Sequence, residues 1–328
     1  MGRFLSCQFE PWQIFEITTR CMQGRFLLKP GEEANRRVLG VFGRALEVYG
    51  EHVHLYLVAG TSNHLHMLVG ARDAAWRARF KDHVKTNLAK ELGDLHDWRE
   101  HLFGRRARDI PVLDDEALVG RVRYFLAHAV KEGLCARPED WPGPAWVRAV
   151  TEGVPLVGVW YDRTRFTHLR TAWRRKKLEN RGPEPALAEV ADEKVVTLSP
   201  LPIWAHLEEE ARQAKYRDLV EQIVEEYGQR RDHDGPALVS AERLVAQDPH
   251  HRPETMKRSP APRVHATTAA VRKVWVAAYA AFAEGWDLAM QRLLAGLPDF
   301  EFPMGGVLPP RAMGLAAMNP KLVAASTG

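Results

Sequence analysis

Cysteine is scarce in this 328-residue chain: only Cys7, Cys21 and Cys135 occur, and no Cys-x-x-Cys pair is present. An odd, scattered set argues against a zinc ribbon or a disulfide framework and points to a reducing compartment. Long apolar runs are missing as well. No stretch approaches the ~20 residues that a bilayer-spanning helix requires, and Met1 to Glu10 lacks the long apolar core of a secretory signal. These absences predict a cytoplasmic protein without a membrane partner. Charge of one sign is in modest excess, net +4 at pH 7, so the placement of the cations matters more than their number.

What is there begins with 45% hydrophobic residues, enough for real cores, in a length that favours more than one domain. Trp12 to Arg20 alternates as a strand. Glu32 to Tyr49 carries Val38, Leu39, Phe42, Leu46 and Tyr49 at helical steps. Val53 to Ala59 and His64 to Gly70 are β-rich and flank the turn residues Gly60-Thr61-Ser62-Asn63, which predicts an antiparallel hairpin. A helix over Trp76 to Leu92 would bury Phe80, Val84, Leu88 and Leu92 and expose Lys81, Lys85 and Lys90. Asp114-Asp115-Glu116 starts a further helix that runs to Gly133, a C′ glycine. This order predicts an α+β sandwich on an antiparallel sheet.

The texture changes at Asp140-Trp-Pro-Gly-Pro-Ala-Trp146. A short β-rich piece, Val154 to Tyr161, precedes a run from Arg163 to Arg181 with eight Lys/Arg against one acid, Glu179. Glu179 to Pro202 then reads as a linker, Trp204 to Gly228 and Ala266 to Leu297 as helices, and the span between them as irregular. Residues after Pro303 are expected to be loosely held. Residues 1–145 thus form one unit, 146–200 a basic extension and linker, and 201–328 a mainly α-helical C-terminal extension.

Two patterns in the first unit carry chemistry. On a strand, His64 and His66 share a face while Leu65 and Met67 take the other, so two imidazoles can reach one divalent ion. On the helix from Asp115, Leu118, Val122, Phe125, Leu126 and Ala129 make the packing face, while Arg121, Tyr124, His128 and Lys131 fall on another stripe. A paired strand histidine, a rim tyrosine and a solvated helix histidine are each common alone. Together they form a set that core packing does not ask for. Competing sites fail on spacing: a histidine-triad hydrolase would need histidine where Leu68 stands, and a two-histidine phosphoesterase would need a second motif copy. Tyr49 and Tyr56 occupy packing positions, Tyr161 has no ligand one turn on, and His250-His251 read as surface residues.

Asn63-His64-Leu65-His66, Asp114-Asp115-Glu116, and Tyr124-Phe-Leu-Ala-His128 running into Ala136-Arg-Pro-Glu-Asp-Trp-Pro-Gly resemble the single-tyrosine HUH transposases and, within them, the REP-associated tyrosine transposases. The resemblance covers roughly residues 10 to 145. It implies the ferredoxin-like HUH endonuclease fold, with helices sandwiching the sheet. It also implies a tyrosine nucleophile, Tyr124, and a metal held by His64, His66 and a third ligand one turn after the tyrosine. The family commonly has Asn or Gln there; this chain has His128. The family's Asn-Pro that follows is Ala129 and Val130 here.

The implied substrate is single-stranded or hairpin DNA, and the implied cofactor is Mg²⁺ or Mn²⁺. The implied reaction is nicking and strand transfer through a 5′-phosphotyrosine. Arg121 and Lys131 would flank the nucleophile and hold phosphate or lower the tyrosine pKa. Arg163, Arg165, Arg170, Arg174, Arg175, Lys176 and Lys177, interleaved with Phe166 and Trp173, form a candidate nucleic-acid surface, with a solvated helix face as the alternative. Monomer and homodimer are both compatible with this reading. So is a domesticated relative that binds hairpins without cutting. An RNA-recognition sandwich would instead display aromatic residues where this strand displays His64 and His66.

Overall fold

The computed structural model describes residues 6–104, 106–234, 238–254, 262–297, 300–309 and 312–313. Its first part runs β1 (Ile14–Arg20), α1 (Glu32–Tyr49), β2 (Val53–Thr61), β3 (His64–Ala71), α2 (Ala74–Leu95) and β4 (Arg108–Val112). These four strands form one antiparallel sheet in the order β2-β3-β1-β4. That is the ferredoxin-like arrangement, and the α+β expectation holds. Strand β4 is the element the sequence hid. Pro111 sits in its middle, and proline is tolerated there because β4 lies at the sheet edge, where an N–H is not demanded by a second ladder.

Alternation along β1 and β3 divides the core. Phe15, Ile17, Leu65, Met67 and Val69 face α1 and α2, where they meet Phe42, Phe80, Val84 and Leu88. The other face receives α3 (Asp115–Leu126) and the short α4 (His128–Lys131), with Leu68, Val122, Phe125 and Leu126 packed together. Asp114 caps α3 by accepting from the Ala117 amide, as its sequence pattern predicts. The helix expected to run unbroken to Gly133 is instead interrupted at Ala127. Gly133 then ends the segment at φ 72°, a left-handed conformation that costs glycine nothing.

Lys81 departs from its expected outward place. It lies largely buried and donates to both Asp109 oxygens, at 2.8 and 2.7 Å. Beside it Arg77, with no exposed surface, donates to Asp109, to Ser6 and Gln8, and covers the Phe15 ring at 3.6 Å. A buried cation of this kind persists only where paired, and here the pairing ties the N-terminal segment to α2 and β4.

After α5 (Trp146–Glu152), strand β5 (Leu156–Tyr161) pairs with β6 (Ala191–Val196) across α6 (Arg163–Arg175). The stretch read as a linker therefore contains a strand. This ribbon lies directly on α1 through Gly40 and Gly158: a Cβ on Gly40 would stand 1.8 Å from the Val159 carbonyl oxygen. Helix α7 (Glu209–Asp234) brings Tyr216, Val220 and Ile223 into the α3-side core. Helix α8 (Ala241–Val245) is short, and α9 (Ala269–Leu294) builds a third core from Trp275, Tyr279, Phe282 and Trp286 with Phe300, Phe302 and Cys7.

Residues just past Pro303, expected to be loose, are tied by a hydrogen bond from the Gln8 backbone N–H to the Gly305 carbonyl (2.9 Å). Positions 310–311 and 314–328 lie outside the described residues. No described helix is long and apolar enough to cross a membrane.

Candidate active site

Strand register decides which side chains meet beneath α3. In the β1–β3 ladder Thr18 faces His66 and Arg20 faces His64, so Glu16, Thr18 and Arg20 share the face of the two histidines. On that face α3 delivers Tyr124, and α4 delivers His128 one turn later. The ring centroids of His64 and His128 are 4.6 Å apart, those of His66 and His128 4.8 Å, and those of His64 and His66 5.2 Å. Tyr124 stands 5.6 Å from both the His66 and the His128 ring. Three histidines contributed by two elements thus converge, one potential ligand atom from each lying within 4.8 Å of the others.

The hydrogen bonds leave the right nitrogens free. Glu16, buried in β1, accepts from His66 Nδ1 at 2.7 Å. Burial pushes the Glu16 carboxyl up, but contacts with His265 and His66 outweigh it and hold the group far below the usual carboxylate range. An ionised carboxylate only accepts, so His66 Nδ1 carries a proton and Nε2 is the nitrogen left for a metal. His64 Nδ1 lies 2.6 Å from Asn63 Oδ1 and 2.9 Å from Thr61 Oγ1, which frees its Nε2 in the same way.

His128 is different. It is buried, and both ring nitrogens lack a partner among the described residues. An orphan of that kind costs about 1–3 kcal/mol, and a divalent cation among the three rings would satisfy it. The donor set therefore fits a metal. Burial and the neighbouring His66 charge lower the His128 pKa to about 3. Burial, with the His128 and His66 charges, holds His64 well below its ordinary value. Neutral imidazole, the form a metal needs, is thus favoured at both positions.

Tyr124 is half-buried, with the Arg121 guanidinium 4.6 Å and the Lys131 ammonium 4.8 Å from its ring centre. The expectation that these cations depress its pKa is not met. Burial, and then the Glu16 charge, raise it, and Arg121 offsets only part of the effect. Arg121 also donates to Glu16 Oε2 at 3.3 Å.

The basic helix does not join this cluster. Arg163 at the start of α6 is bound to Glu91 of α2 at 2.7 Å and to Asp94, on the sheet face opposite Tyr124. Arg170 pairs with Glu184. Arg165, Arg174, Arg175, Lys176 and Lys177 are exposed, and α6 buries none of its residues.

No family model and no curated protein matches the chain. It is similar to two solved transposase structures. One is a REP-associated tyrosine transposase bound to a REP hairpin, at 14% identity over 47% of this chain and 87% of that one, with a TM-score of 0.38. The other is a candidate transposase from Deinococcus radiodurans R1, at 12% identity over 39% and 95% of the respective chains, with a TM-score of 0.28.

Two residues at the site were not singled out from the sequence. Glu16 had a signal, a lone acid in the middle of a strand. His265 had none, because it lies in the irregular span before α9.

Proposed function

We propose that the protein is a metal-dependent nuclease and strand-transfer enzyme of the single-tyrosine HUH type, acting on single-stranded or hairpin DNA with Tyr124 as nucleophile. The observation that carries this reading is the convergence of His64, His66 and the partnerless His128 beside Tyr124.

His64, His66 and His128 would hold the cation, which when bound supplies Lewis-acid charge neutralisation at the scissile phosphate. Imidazole ligation is soft for Mg²⁺, so Mn²⁺ is the better supporter in vitro. Tyr124 Oη attacks phosphorus, the P–O3′ bond breaks, and the phenolic proton is balanced by protonation of the leaving 3′-oxygen. The product is a 5′-phosphotyrosine and a free 3′-OH. Because the adduct conserves the phosphodiester's energy, a 3′-OH of another strand can reverse the step and so transfer the strand. Burial and the Glu16 charge raise the Tyr124 pKa, so the phenol rests protonated, and Arg121 and Lys131 sit where an incoming phosphate's charge would lie. In this reading the catalytic elements lie within residues 1–145, and the exposed cations of α6 contact flanking DNA.

The test is incubation with short hairpin-bearing single-stranded DNAs and Mn²⁺, followed by a denaturing gel for a protein–DNA adduct. Tyr124→Phe is expected to abolish the adduct while leaving hairpin binding within a few-fold, since only the nucleophilic oxygen is lost. Retained nicking would place the nucleophile elsewhere. Tight hairpin binding with no adduct from the wild type would favour a silent DNA-binding protein.

A further inference from the structure

The buried carboxylate behind His66 is held from the far end of the chain. Glu16 Oε1 accepts from His66 Nδ1. The other oxygen, Oε2, accepts from Arg121 Nη1 at 3.3 Å and has His265 Nε2 at 2.7 Å, an ion-pair contact in which the ring N–H is off the line of a hydrogen bond. His265 is placed by backbone rather than by chance packing. Its segment bridges in parallel to Val112, its amide donates to the Pro111 carbonyl (2.8 Å), and its carbonyl accepts from the Leu113 amide (3.0 Å). The free edge of β4 thus gains a further short pairing. Two residues on, Thr267 donates through its amide and its hydroxyl to Asp114, the residue that caps α3. A second C-terminal contact reaches the opposite side of the site, where the hydroxyl of Ser62, in the β2–β3 turn before His64, donates to Gln247.

We infer that His265 is a positioning residue of the metal centre: it locks the second oxygen of Glu16, so that the first holds the His66 ring with Nε2 directed at the ion. The inference rests on the reading of His64, His66 and His128 as a metal site. The physical reason is torsional. Arg121 holds Oε2 from one side only, and without His265 on the other side that pull would turn the buried carboxylate toward Arg121 and away from His66. With both oxygens engaged, the carboxylate plane is fixed, and with it the imidazole. Groups that orient a ligand histidine in this way typically contribute ten- to a hundred-fold to metal affinity. The C-terminal segment is then part of the site and not merely attached to it.

The experiment is a Co²⁺ titration of the full-length protein, read by its visible absorption bands, with thermal melts of every variant. His265→Leu removes the donor at similar volume and is expected to weaken Co²⁺ binding by about ten-fold. His265→Gln, whose amide can still reach Glu16, is expected to restore most of it. If the Leu variant does not fold, His265→Asn, too short to reach the carboxylate, takes its place with the same expectation. In a Glu16→Gln background the His265 substitution is expected to have no further effect, because it acts through that carboxylate. Wild-type Co²⁺ affinity and spectrum in the His265 variant, or an additive loss in the double variant, would overturn the inference and leave the metal site standing. A wild-type protein that develops no Co²⁺ bands would overturn the metal reading and this inference with it.

Discussion

At the scale of single residues, His128 separates a metal site from a packed core most sharply. Its two nitrogens are buried and unpartnered among the described residues, and a cation bound to one of them would remove that part of the cost. His128→Ala is expected to raise the Mn²⁺ concentration needed for adduct formation by ten-fold or more, and His128→Asn, a shorter ligand, to recover part of that. The same burial has a consequence for the metal-free protein. A histidine whose folded pKa lies near 3 binds no proton between there and its ordinary value of 6.5, whereas the unfolded chain does. Unfolding therefore takes up protons in that window, and stability rises with pH across it, by up to about 1.4 kcal/mol per pH unit for each such histidine. His64 acts in the same direction. Urea titrations of the metal-free protein at pH 4.5 and 7 are expected to show lower stability at the acid end. His128→Asn should reduce that difference, and a flat profile would contradict the neutral buried pair.

Elements were legible in proportion to how local their causes are. The β2–β3 hairpin, α1, α2 and the start of α3 follow from periodicity and capping residues, and so does the shared face of His64 and His66. Strand β4 was hidden because Pro111 is acceptable only at an edge, and edge position is a tertiary fact. Strand β6 was hidden because its pairing with β5 is settled by contact with α1, through glycines whose purpose is invisible until the helix arrives. The ribbon also changes how α6 should be tested. Ending the chain at Tyr161 would remove Val196, which fills the core beside Leu156, so α6 is tested by substitution. Replacing Arg174, Arg175, Lys176 and Lys177 with glutamine is expected to weaken hairpin binding. It should also flatten the slope of log K against log salt by ~0.7 per lost single-strand phosphate contact, or ~0.9 for duplex. An unchanged slope would make α6 a solvated face. Arg163 is left in place because its partner is Glu91, not solvent.

Across the whole molecule, cohesion depends on contacts between segments distant in sequence. Arg77 is the clearest case. Wholly buried, it links Ser6 and Gln8 of the N-terminal segment to Asp109 of β4, and Gln8 in turn is bonded to Gly305. Arg77→Ala would leave Asp109 with Lys81 as its remaining close cation, and is expected to cost about 3–5 kcal/mol in a urea unfolding measurement, as for other broken buried pairs. A change below about 1 kcal/mol would mean that water replaces the guanidinium. None of this was visible in the sequence, where Arg77 is one more cation on a helix and Lys81 reads as exposed. A buried charge is declared by its partners, and these stand far along the chain.

The double use of Asp114 sets a clock. It caps α3 and also receives Thr267, which lies 153 residues later. At synthesis rates of about 5–20 residues per second, that interval takes roughly 8–30 s. For most of it a nascent chain carries both strand histidines and the tyrosine, but neither the second hold on its helix cap nor His265 behind Glu16. A nascent chain therefore passes through a period in which the three histidines and the tyrosine are present while Glu16 still lacks the imidazole of His265 beside it.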